Sequence, residues 1–273
     1  MATKAFLVGL DDYAPCGPGG QDLHGCVNDA KDMANTLVIL GFNPRNIRVL
    51  TNCAAIKANI IAGLNWLISG TAKGDSVVFY YAGHGSQVAD ISGDEKNDGK
   101  DEILCPHDTN FQKKVYILDD ELRAIFSKLP AGVNLEVILD SCFSGTATRA
   151  IQFGDMTAVR YMEPPFDVTF HMDYIKDLPA RKLLKGTNRN MVVVPGINHT
   201  LWAACSDKET SSEIEINGVP RGVFTYNFCQ ILKKCNGKKT RKEIDALLTA
   251  ALAKYQTPQL ETSAPEMLQK PFT

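Results

Sequence analysis

The sequence has little of what a membrane protein, a secreted protein or a nucleic-acid-binding protein requires. It contains no uninterrupted run of about 18 apolar residues, and its opening, MATKAFLVGL, lacks the apolar core and small-residue cleavage site of a secretory signal. Its 29 basic residues nearly balance its 31 acidic residues, so no net field attracts nucleic acid or an anionic membrane. We therefore expect a cytoplasmic protein that binds neither nucleic acid nor membrane.

Several chemical signatures are also missing. The eight cysteines form no CxxC pair and no Cys/His cluster with zinc spacing. Because they are scattered along a long chain, we expect mostly free thiols rather than a disulfide framework. No glycine-rich phosphate-binding sequence follows the first predicted strand, and Ser141 and Ser144 lie in no G-x-S-x-G sequence. Structural zinc, nucleotide binding and a serine nucleophile therefore have no support.

What the sequence does have is an alternation of strand-like and helix-like segments. Apolar residues at spacings of three and four from Val27 to Leu40 predict a helix. Further helices are predicted over Ile56–Ile68 and Asp119–Leu129, with a long polar loop before the latter. Buried strands are predicted at Lys4–Leu10, Asn46–Leu50, Ser76–Ala82 and Asn134–Leu139. This alternation predicts an α/β fold with a mainly parallel central sheet and helices on both faces.

The second half of the chain is less regular. Residues 145–198 carry four prolines and weak periodicity, and we interpret them as a long excursion from a single domain that spans residues 1–273. Regular elements return after it. Strands are predicted at Thr200–Cys205 and Glu213–Ile216, and helices at Val223–Leu232 and Lys242–Tyr255. The domain thus divides into residues 1–144, the excursion 145–198 and residues 199–273.

Two short sequences indicate the chemistry. YYAGHG, Tyr80–Gly85, and DSCFSG, Asp140–Gly145, each follow a run rich in β-branched and aromatic residues, so His84 and Cys142 are predicted to follow two buried strands. Open α/β sheets build their sites at such strand ends. A histidine can take the proton of a nearby thiol and later protonate a leaving amine. The pair predicts acyl transfer, most simply peptide hydrolysis, with the N–H groups of Gly85 and Cys142 as an oxyanion hole.

Three sequences in this order resemble the metacaspases, which are caspase-like cysteine peptidases. They are GCVNDA, Gly25–Ala30, the histidine-glycine pair, and DSCFSG; PQLETS, Pro258–Ser263, is also similar to the family. The resemblance implies a three-layer caspase-like fold, in which residues 1–144 correspond to the large subunit and 199–273 to the small one. It also implies that His84 is the general base and Cys142 the nucleophile. Because the first predicted strand begins at Lys4, we expect a compact, bacterial-type member without a prodomain.

The resemblance implies a specificity as well. In this family a basic P1 side chain enters a pocket with an acidic floor, whose positions here are Asp29 and Asp140, with Cys26 beside them. Two partly desolvated carboxylates bind Arg or Lys and repel Asp. The alternative for Asp29 is a solvated first-turn residue that interacts with the dipole of its helix. A serine often found two positions before the histidine is replaced here by Ala82.

The thiol chemistry requires no cofactor, but an acidic loop raises the question of calcium. The loop holds six carboxylates between Asp90 and Glu102, and calcium prefers such hard oxygen ligands. The candidate ligands are Asp98, Asp101 and Glu102. At a position where metacaspases often bind calcium through an aspartate, this chain has Arg149, which argues against the usual site. We interpret the loop as a solvated acidic segment and keep calcium as the alternative.

The sequence therefore predicts a cysteine endopeptidase that cleaves polypeptides after Arg or Lys through an acyl-enzyme. The alternative is a catalytically inactive caspase-like module that binds basic peptides or protein partners. Ala82 and Arg149 favour this alternative, whereas the presence of both His84 and Cys142 favours the enzyme. Self-cleavage stays open, because basic residues lie in the excursion, namely Arg149, Arg160 and Lys176. The sequence does not predict an oligomeric state.

Overall fold

A six-stranded sheet lies at the centre of the protein, as seen in a computed structural model that describes residues 1–13, 22–89, 100–143, 156–165, 167–168, 198–206 and 211–273. Two three-stranded sheets accompany it. The strands are β1 (Thr3–Gly9), β2 (Ile47–Thr51), β3 (Ser76–Ala82), β4 (Gly85–Ala89), β5 (Lys100–Leu104), β6 (Ile117–Leu118), β7 (Asn134–Asp140), β8 (Met156–Val159), β9 (Asn198–Ala203), β10 (Ser212–Ile216), β11 (Val219–Gly222) and β12 (Gln259–Glu261). The α-helices are α1 (Cys26–Ile39), α2 (Lys57–Ile68), α3 (Asp119–Phe126), α4 (Val223–Cys235), α5 (Arg241–Leu252) and α6 (Ala264–Met267).

The central sheet is mainly parallel, with the strand order β12-β9-β7-β3-β1-β2. The strands from β9 to β2 run parallel to their neighbours, and β12 pairs antiparallel with β9 at one edge. Every residue of β3 is buried, as expected for a parallel strand that is covered on both faces. The predicted α/β class and the mainly parallel sheet are confirmed.

The register of the sheet fixes where the two candidate sequences leave it. Gly9 pairs with Ala82, and Ala82 pairs with Asp140, so β1, β3 and β7 end side by side. His84 and Cys142 each follow the end of their strand by two residues. Parallel strands that end in register bring the segments after them to one edge of the sheet.

The helices form two layers because each buries one apolar face against the sheet. Helix α1 packs against β1 and β3 and contacts α4, which in turn contacts α5. Helix α2 also packs against β1 and β3 but contacts α3 instead. The predicted helices on both faces are thus confirmed.

The segment between β3 and α3, interpreted from the sequence as a long polar loop, contains three strands. Strand β5 pairs antiparallel with β4 and with β6, outside the central sheet. Polar and charged residues make up much of β5, whose sequence is KDEIL. A short strand of this composition lacks the β-branched and aromatic pattern on which strand prediction depends, so the pattern missed it.

Part of the excursion also has regular structure. Strand β8 pairs antiparallel with β10, with Val159 opposite Ser212 and Ala158 opposite Glu213. The residue after this strand, Arg160, donates its N–H to the Ser211 carbonyl at 3.1 Å. Its carbonyl accepts the N–H groups of Gly85 and Cys142, which follow β3 and β7, so Arg160 lies at the carboxyl edge of the central sheet.

Two further observations concern the cysteines and the helices of the described residues. Each cysteine within the described ranges is a free thiol. None of the helices in those ranges has the length and apolar character needed to span a bilayer.

Candidate functional site

Two tyrosines hold the backbone of His84. The His84 N–H donates to the Tyr13 hydroxyl at 2.7 Å, and the Tyr81 hydroxyl donates to the His84 carbonyl at 2.7 Å and to the Cys105 carbonyl at 2.8 Å. The Tyr13 ring lies 4.7 Å from the imidazole, centroid to centroid. Burial raises the pKa of both tyrosines well above the usual value, so both hydroxyls stay protonated. Two neutral hydroxyls thus hold the backbone of His84 on both sides.

Cys142 lies beside Gly85, and both are bound to the same oxygen. The N–H groups of Cys142 and Gly85 each donate to the Arg160 carbonyl at 3.1 Å. A Cβ atom at position 85 would overlap the Cys142 carbonyl oxygen, so this close approach requires glycine. His84 and Cys142 are both fully buried, each with 0% exposure. The two N–H groups predicted to form an oxyanion hole therefore converge on one carbonyl oxygen.

The side chain of the same arginine enters a pocket of three carboxylates. Its Nη1 lies 2.8 Å from Asp140 Oδ2, and its Nη2 lies 2.5 Å from Asp29 Oδ2 and 3.0 Å from Glu213 Oε1. None of these four side chains is exposed to solvent. Asp29 and Asp140, which the sequence predicted as a pocket floor, lie together, and Asp29 is not a solvated first-turn residue.

The beginning of α4 holds the two aspartates in place. The Gly222 N–H donates to Asp29 Oδ2 at 2.8 Å, and Thr225 donates its N–H and its hydroxyl to Asp140 Oδ2 at 3.1 and 2.6 Å. The Ser211 hydroxyl donates to the other oxygen, Asp140 Oδ1, at 2.5 Å. A helix N-terminus stabilises negative charge through its free N–H groups and its dipole. A Cβ at position 222 would overlap Asp140 and the guanidinium, so the approach of this backbone requires glycine.

The electrostatics of the pocket differ from one carboxylate to the next. Burial raises the pKa of Asp29 well above its usual value, against the opposing effect of Arg160. Burial acts in the same direction on Glu213, but Arg160 and the N–H groups of His24 and Gly25 outweigh it and lower the Glu213 pKa. Burial would lower the pKa of Arg160, yet the surrounding acids, Asp140 foremost, raise it. The guanidinium therefore stays charged.

The third residue predicted for the pocket, Cys26, lies at its margin. Its Sγ lies 3.4 Å from Glu213 Oε1, and burial raises its pKa well above the usual value, so it is a neutral thiol. With Asp11, these two residues bring their ligand atoms within 4.8 Å of one another. Glu213 is already bound to a guanidinium, and the Asp11 carboxylate accepts the Cys26 N–H at 2.7 Å. We therefore assign no metal to this cluster.

Two of the three residues predicted as calcium ligands lie within the described residues, both on β5. Asp98 lies outside the described residues, as does Arg149. Asp101 and Glu102 are consecutive in β5, opposite Val88 and Gln87. Neighbouring residues of a strand project to opposite faces, so these two carboxylates do not share a face of their sheet. The calcium site stays a prediction.

The sequence interpretation missed two members of the pocket, Glu213 and Arg160, and one neighbour of the histidine, Tyr13. The sequence predicts a strand that contains Glu213, and it distinguishes Arg160 only as a basic residue of the excursion. The alternation of SEIEI placed Glu213 in a strand without distinguishing it from Glu215. No pattern in the sequence indicates that these residues meet.

Comparison with known proteins identifies the family of this chain. A family model described as the metacaspase, peptidase C14 domain, matches residues 3–150. Metacaspase-1 of Coccidioides immitis is 31% identical over 96% of this chain, and Metacaspase-1 of Meyerozyma guilliermondii is 30% identical over 96%. The chain spans 62% of the length of the first relative and 70% of the second.

Two solved structures are similar in fold to this chain. A protein from Geobacter sulfurreducens is 27% identical, with a TM-score of 0.72 over 100% of this chain and 99% of its own. Caspase-1 from Spodoptera frugiperda is 12% identical, with a TM-score of 0.58 over 95% of this chain and 86% of its own, which shows a shared caspase-like fold. Because the family model covers more than half of the sequence, the chain belongs to the metacaspases, a family of cysteine-type peptidases.

Proposed function

We propose that this protein is a cysteine endopeptidase that hydrolyses peptide bonds after Arg or Lys. Cys142 is the nucleophile and His84 the general base. Asp29 and Asp140 bind the basic P1 side chain, and the N–H groups of Gly85 and Cys142 bind the carbonyl oxygen under attack. The substrate is a polypeptide, and the thiol chemistry needs no cofactor; calcium on the acidic loop is a separate prediction.

One observation supports this proposal: the set of contacts that Arg160 makes. Its guanidinium binds the two aspartates, while its carbonyl oxygen accepts both N–H groups that lie beside the proposed nucleophile. A substrate arginine at P1 must make these two sets of contacts at once, because its side chain fixes specificity and its carbonyl carbon is attacked. The internal arginine thus supports both the basic specificity and the oxyanion role of Gly85 and Cys142.

The chemistry follows from these positions. The Cys142 thiolate attacks the P1 carbonyl carbon, and the two N–H groups stabilise the negative charge that develops on the oxygen. The C–N bond breaks as His84 donates a proton to the leaving amine, which leaves a thioester on Cys142. Water, deprotonated by His84, hydrolyses the thioester and releases a product with a C-terminal Arg or Lys. Each cycle consumes one water molecule.

The position of Arg160 also affects how a substrate enters the pocket. Arg160 occupies the pocket, and Cys142 is fully buried, so a substrate must displace the segment around Arg160 before it reaches the thiol. Turnover by the wild-type chain then depends on how readily this segment leaves. The variant Arg160→Ala removes the competing side chain and should accept a small reporter peptide more readily.

The test is turnover of short reporter peptides that differ only in P1, with Arg, Lys or Asp at that position. We expect cleavage of the Arg and Lys reporters, no cleavage of the Asp reporter, and loss of all turnover in Cys142→Ala. Cys229→Ala, the same change at another buried cysteine, is the matched control and should retain activity. The intact mass is recorded alongside, because cleavage after Arg160 would change the species under assay. Activity that survives in Cys142→Ala, or a preference for Asp, would refute the proposal.

The burial of Cys142 and the filled pocket also favour a second function, an inactive module that recognises basic peptides. Alkylation with iodoacetamide separates the two. A catalytic thiolate labels much faster near neutral pH than the other cysteines once the pocket is opened. In Arg160→Ala, fast labelling of Cys142 supports the enzyme. Slow, uniform labelling together with binding of a basic peptide supports the module.

A further inference from the structure

Glu213 is a carboxylate in the basic pocket that neither the sequence pattern nor the comparisons assign. It lies on β10, distant in sequence from Asp29 and Asp140. Its Oε1 lies 3.0 Å from Nη2 of the bound guanidinium, and its side chain is fully buried. We propose that Glu213 determines specificity at P1 and selects Arg over Lys. This inference rests on the proposed peptidase function.

The arrangement of the contacts separates the two nitrogens of the guanidinium. Nη1 binds Asp140, whereas Nη2 is shared between Asp29 and Glu213. A guanidinium is planar and offers donors on two terminal nitrogens in a fixed geometry. A lysine ammonium has a single nitrogen, so it cannot occupy the Nη1 and Nη2 positions at once. Glu213 therefore adds a contact at a position that only an arginine fills while it also binds Asp140.

The Glu213 carboxylate is fixed and charged before any substrate binds. Its Oε2 accepts the His24 N–H at 3.0 Å, and its Oε1 accepts the Gly25 N–H at 3.0 Å. These N–H groups belong to the chain just before α1 and do not depend on the guanidinium. A carboxylate that is held by backbone N–H groups stays ionised and loses little conformational freedom when it binds a cation.

The acidic side chains around the guanidinium come from separate elements. Within the described residues, the polar side-chain contacts to the guanidinium come from Asp29, Asp140 and Glu213. Asp29 lies on α1 and Asp140 at the end of β7, whereas Glu213 lies on β10. Glu213 is thus a third acidic contact, from a strand to which neither aspartate belongs.

The direct test compares Arg and Lys reporters in Glu213→Gln made in the Arg160→Ala background, so that the internal guanidinium does not compete with the substrate for Glu213. The amide keeps the shape of the side chain and one oxygen, which can accept the N–H group of His24 or of Gly25 but not both, and it removes the charge. Loss of a charge-assisted hydrogen bond should lower kcat/KM for the Arg reporter by about ten- to hundredfold. The Lys reporter should lose less, so that the Arg-to-Lys ratio falls towards one. Glu215→Gln, an exposed glutamate on the same strand, is the matched control and should leave the ratio unchanged.

A second variant guards against a general loss of structure. Glu213→Asp keeps the charge but shortens the side chain by one methylene, so it should retain more of the Arg preference than Glu213→Gln does. If Arg and Lys reporters lose activity equally in Glu213→Gln, Glu213 has a structural role and the inference is wrong. If Glu213→Gln and Glu213→Asp are equally unselective while both stay folded, the charge does not matter and the inference is also wrong.

A binding measurement keeps this inference separate from the proposed catalysis. In Arg160→Ala, the thermal shift produced by n-propylguanidine, which mimics an arginine side chain, is compared with that of n-butylamine, which mimics lysine. We expect the guanidine to give the larger shift, and we expect Arg160→Ala/Glu213→Gln to lose this difference. An equal response to both ligands in Arg160→Ala overturns the inference even if the enzyme cleaves peptides. A guanidine preference that Glu213→Gln abolishes supports it even if no peptide is cleaved.

Discussion

Arg160 and Arg241 are both buried and both bound to carboxylates, but the charges around them balance differently. Arg241 reaches one carboxylate, Glu136, through its Nε at 2.9 Å and through Nη2. The remaining contacts of Glu136 come from neutral donors, the Trp202 Nε1 at 2.8 Å and the Phe272 N–H at 3.2 Å. Arg160 instead faces three carboxylates.

The difference is the one expected between a structural ion pair and the proposed P1 pocket. One cation against one anion with neutral donors is complete, and it ties α5 and the C-terminal Phe272 to β7. One cation against three carboxylates leaves acidic groups in excess even when Asp29 holds a proton, because two backbone N–H groups hold Glu213. Isolated buried charges are costly unless they are paired, so the second pocket keeps its demand for a cation when Arg160 leaves. The first pocket does not, because one proton neutralises its single carboxylate, Glu136.

The largest expected effect is on the free energy of unfolding, in variants of the two buried arginines. Removal of one partner from a buried ion pair costs about 3–5 kcal/mol, so Arg160→Ala and Arg241→Ala should both lower the free energy of unfolding by that order. Added n-propylguanidine should restore much of the loss in Arg160→Ala, by about 2.7 kcal/mol at 100 times its Kd. It should restore little in Arg241→Ala, where one proton on Glu136, whose pKa burial raises, neutralises the only carboxylate that Arg241 binds. Denaturant unfolding with and without the guanidine measures both.

The wild-type chain is the control for this pair of variants. Its own Arg160 already fills the pocket, so n-propylguanidine should not stabilise it measurably. Equal rescue of the two variants would mean that the guanidine fills any cavity left by an arginine, and the distinction between the pockets would fail. Absence of rescue in Arg160→Ala would mean that the segment around residue 160 seals the pocket even without its side chain.

The same comparison shows what the sequence could predict. His84 and Cys142 follow strands whose β-branched and aromatic runs are local signals, and the register of neighbouring parallel strands then brings their backbones together. The helices of both layers were predicted for the same reason, since an apolar stripe is local as well. Asp29 and Asp140 required the family resemblance, because nothing local distinguishes a pocket acid from a surface acid.

What could not be predicted depends on contacts between distant parts of the chain. Arg160 pairs with Asp29, 131 residues away, and with Glu213, 53 residues away. It lies in a segment of weak periodicity, where a basic residue is most often solvated. Glu213 and Glu215 occupy equivalent positions of the alternating SEIEI strand, yet one is buried and the other exposed. Only the tertiary fold separates them.

A smaller expected effect is the pH dependence of the affinity of the Arg160 pocket for a guanidinium. Burial raises the pKa of Asp29 and Arg160 opposes it, so the pKa of Asp29 is higher in an empty pocket than in one that holds a guanidinium. Because the cation favours the ionised carboxylate, affinity should rise with pH by up to about tenfold per unit, and level off above the pKa of Asp29 in the empty pocket. The affinity of Arg160→Ala for n-propylguanidine, measured by calorimetry from about pH 5 to 8, checks this.

Replacement of Asp29 by asparagine provides the control for the pH measurement. Arg160→Ala/Asp29→Asn has no proton to displace at that position, so its affinity should be lower and should vary less with pH. An affinity that falls as the pH rises has the wrong sign for carboxylate deprotonation. An unchanged slope in Arg160→Ala/Asp29→Asn would assign the proton to another group.

The smallest expected effect concerns a part of the site that carries no charge. Tyr13→Phe keeps the ring that packs against His84 but removes the hydroxyl that accepts its N–H. Loss of one neutral hydrogen bond costs about 1 kcal/mol, so kcat for the Arg reporter should fall by several-fold to about tenfold. KM and the Arg-to-Lys ratio should stay unchanged, because the hydroxyl touches no carboxylate of the pocket. Steady-state kinetics on both reporters make the measurement.

Tyr116→Phe, at a buried tyrosine that packs against Phe111, is the matched control and should leave kcat unchanged. The two variants should have similar unfolding temperatures, so a fall in kcat confined to Tyr13→Phe reflects the position of the imidazole rather than a general loss of stability. A rise in KM with kcat unchanged would instead connect Tyr13 to the pocket. That result would end the proposed separation between the carboxylates that select the substrate and the tyrosine hydroxyl that positions His84.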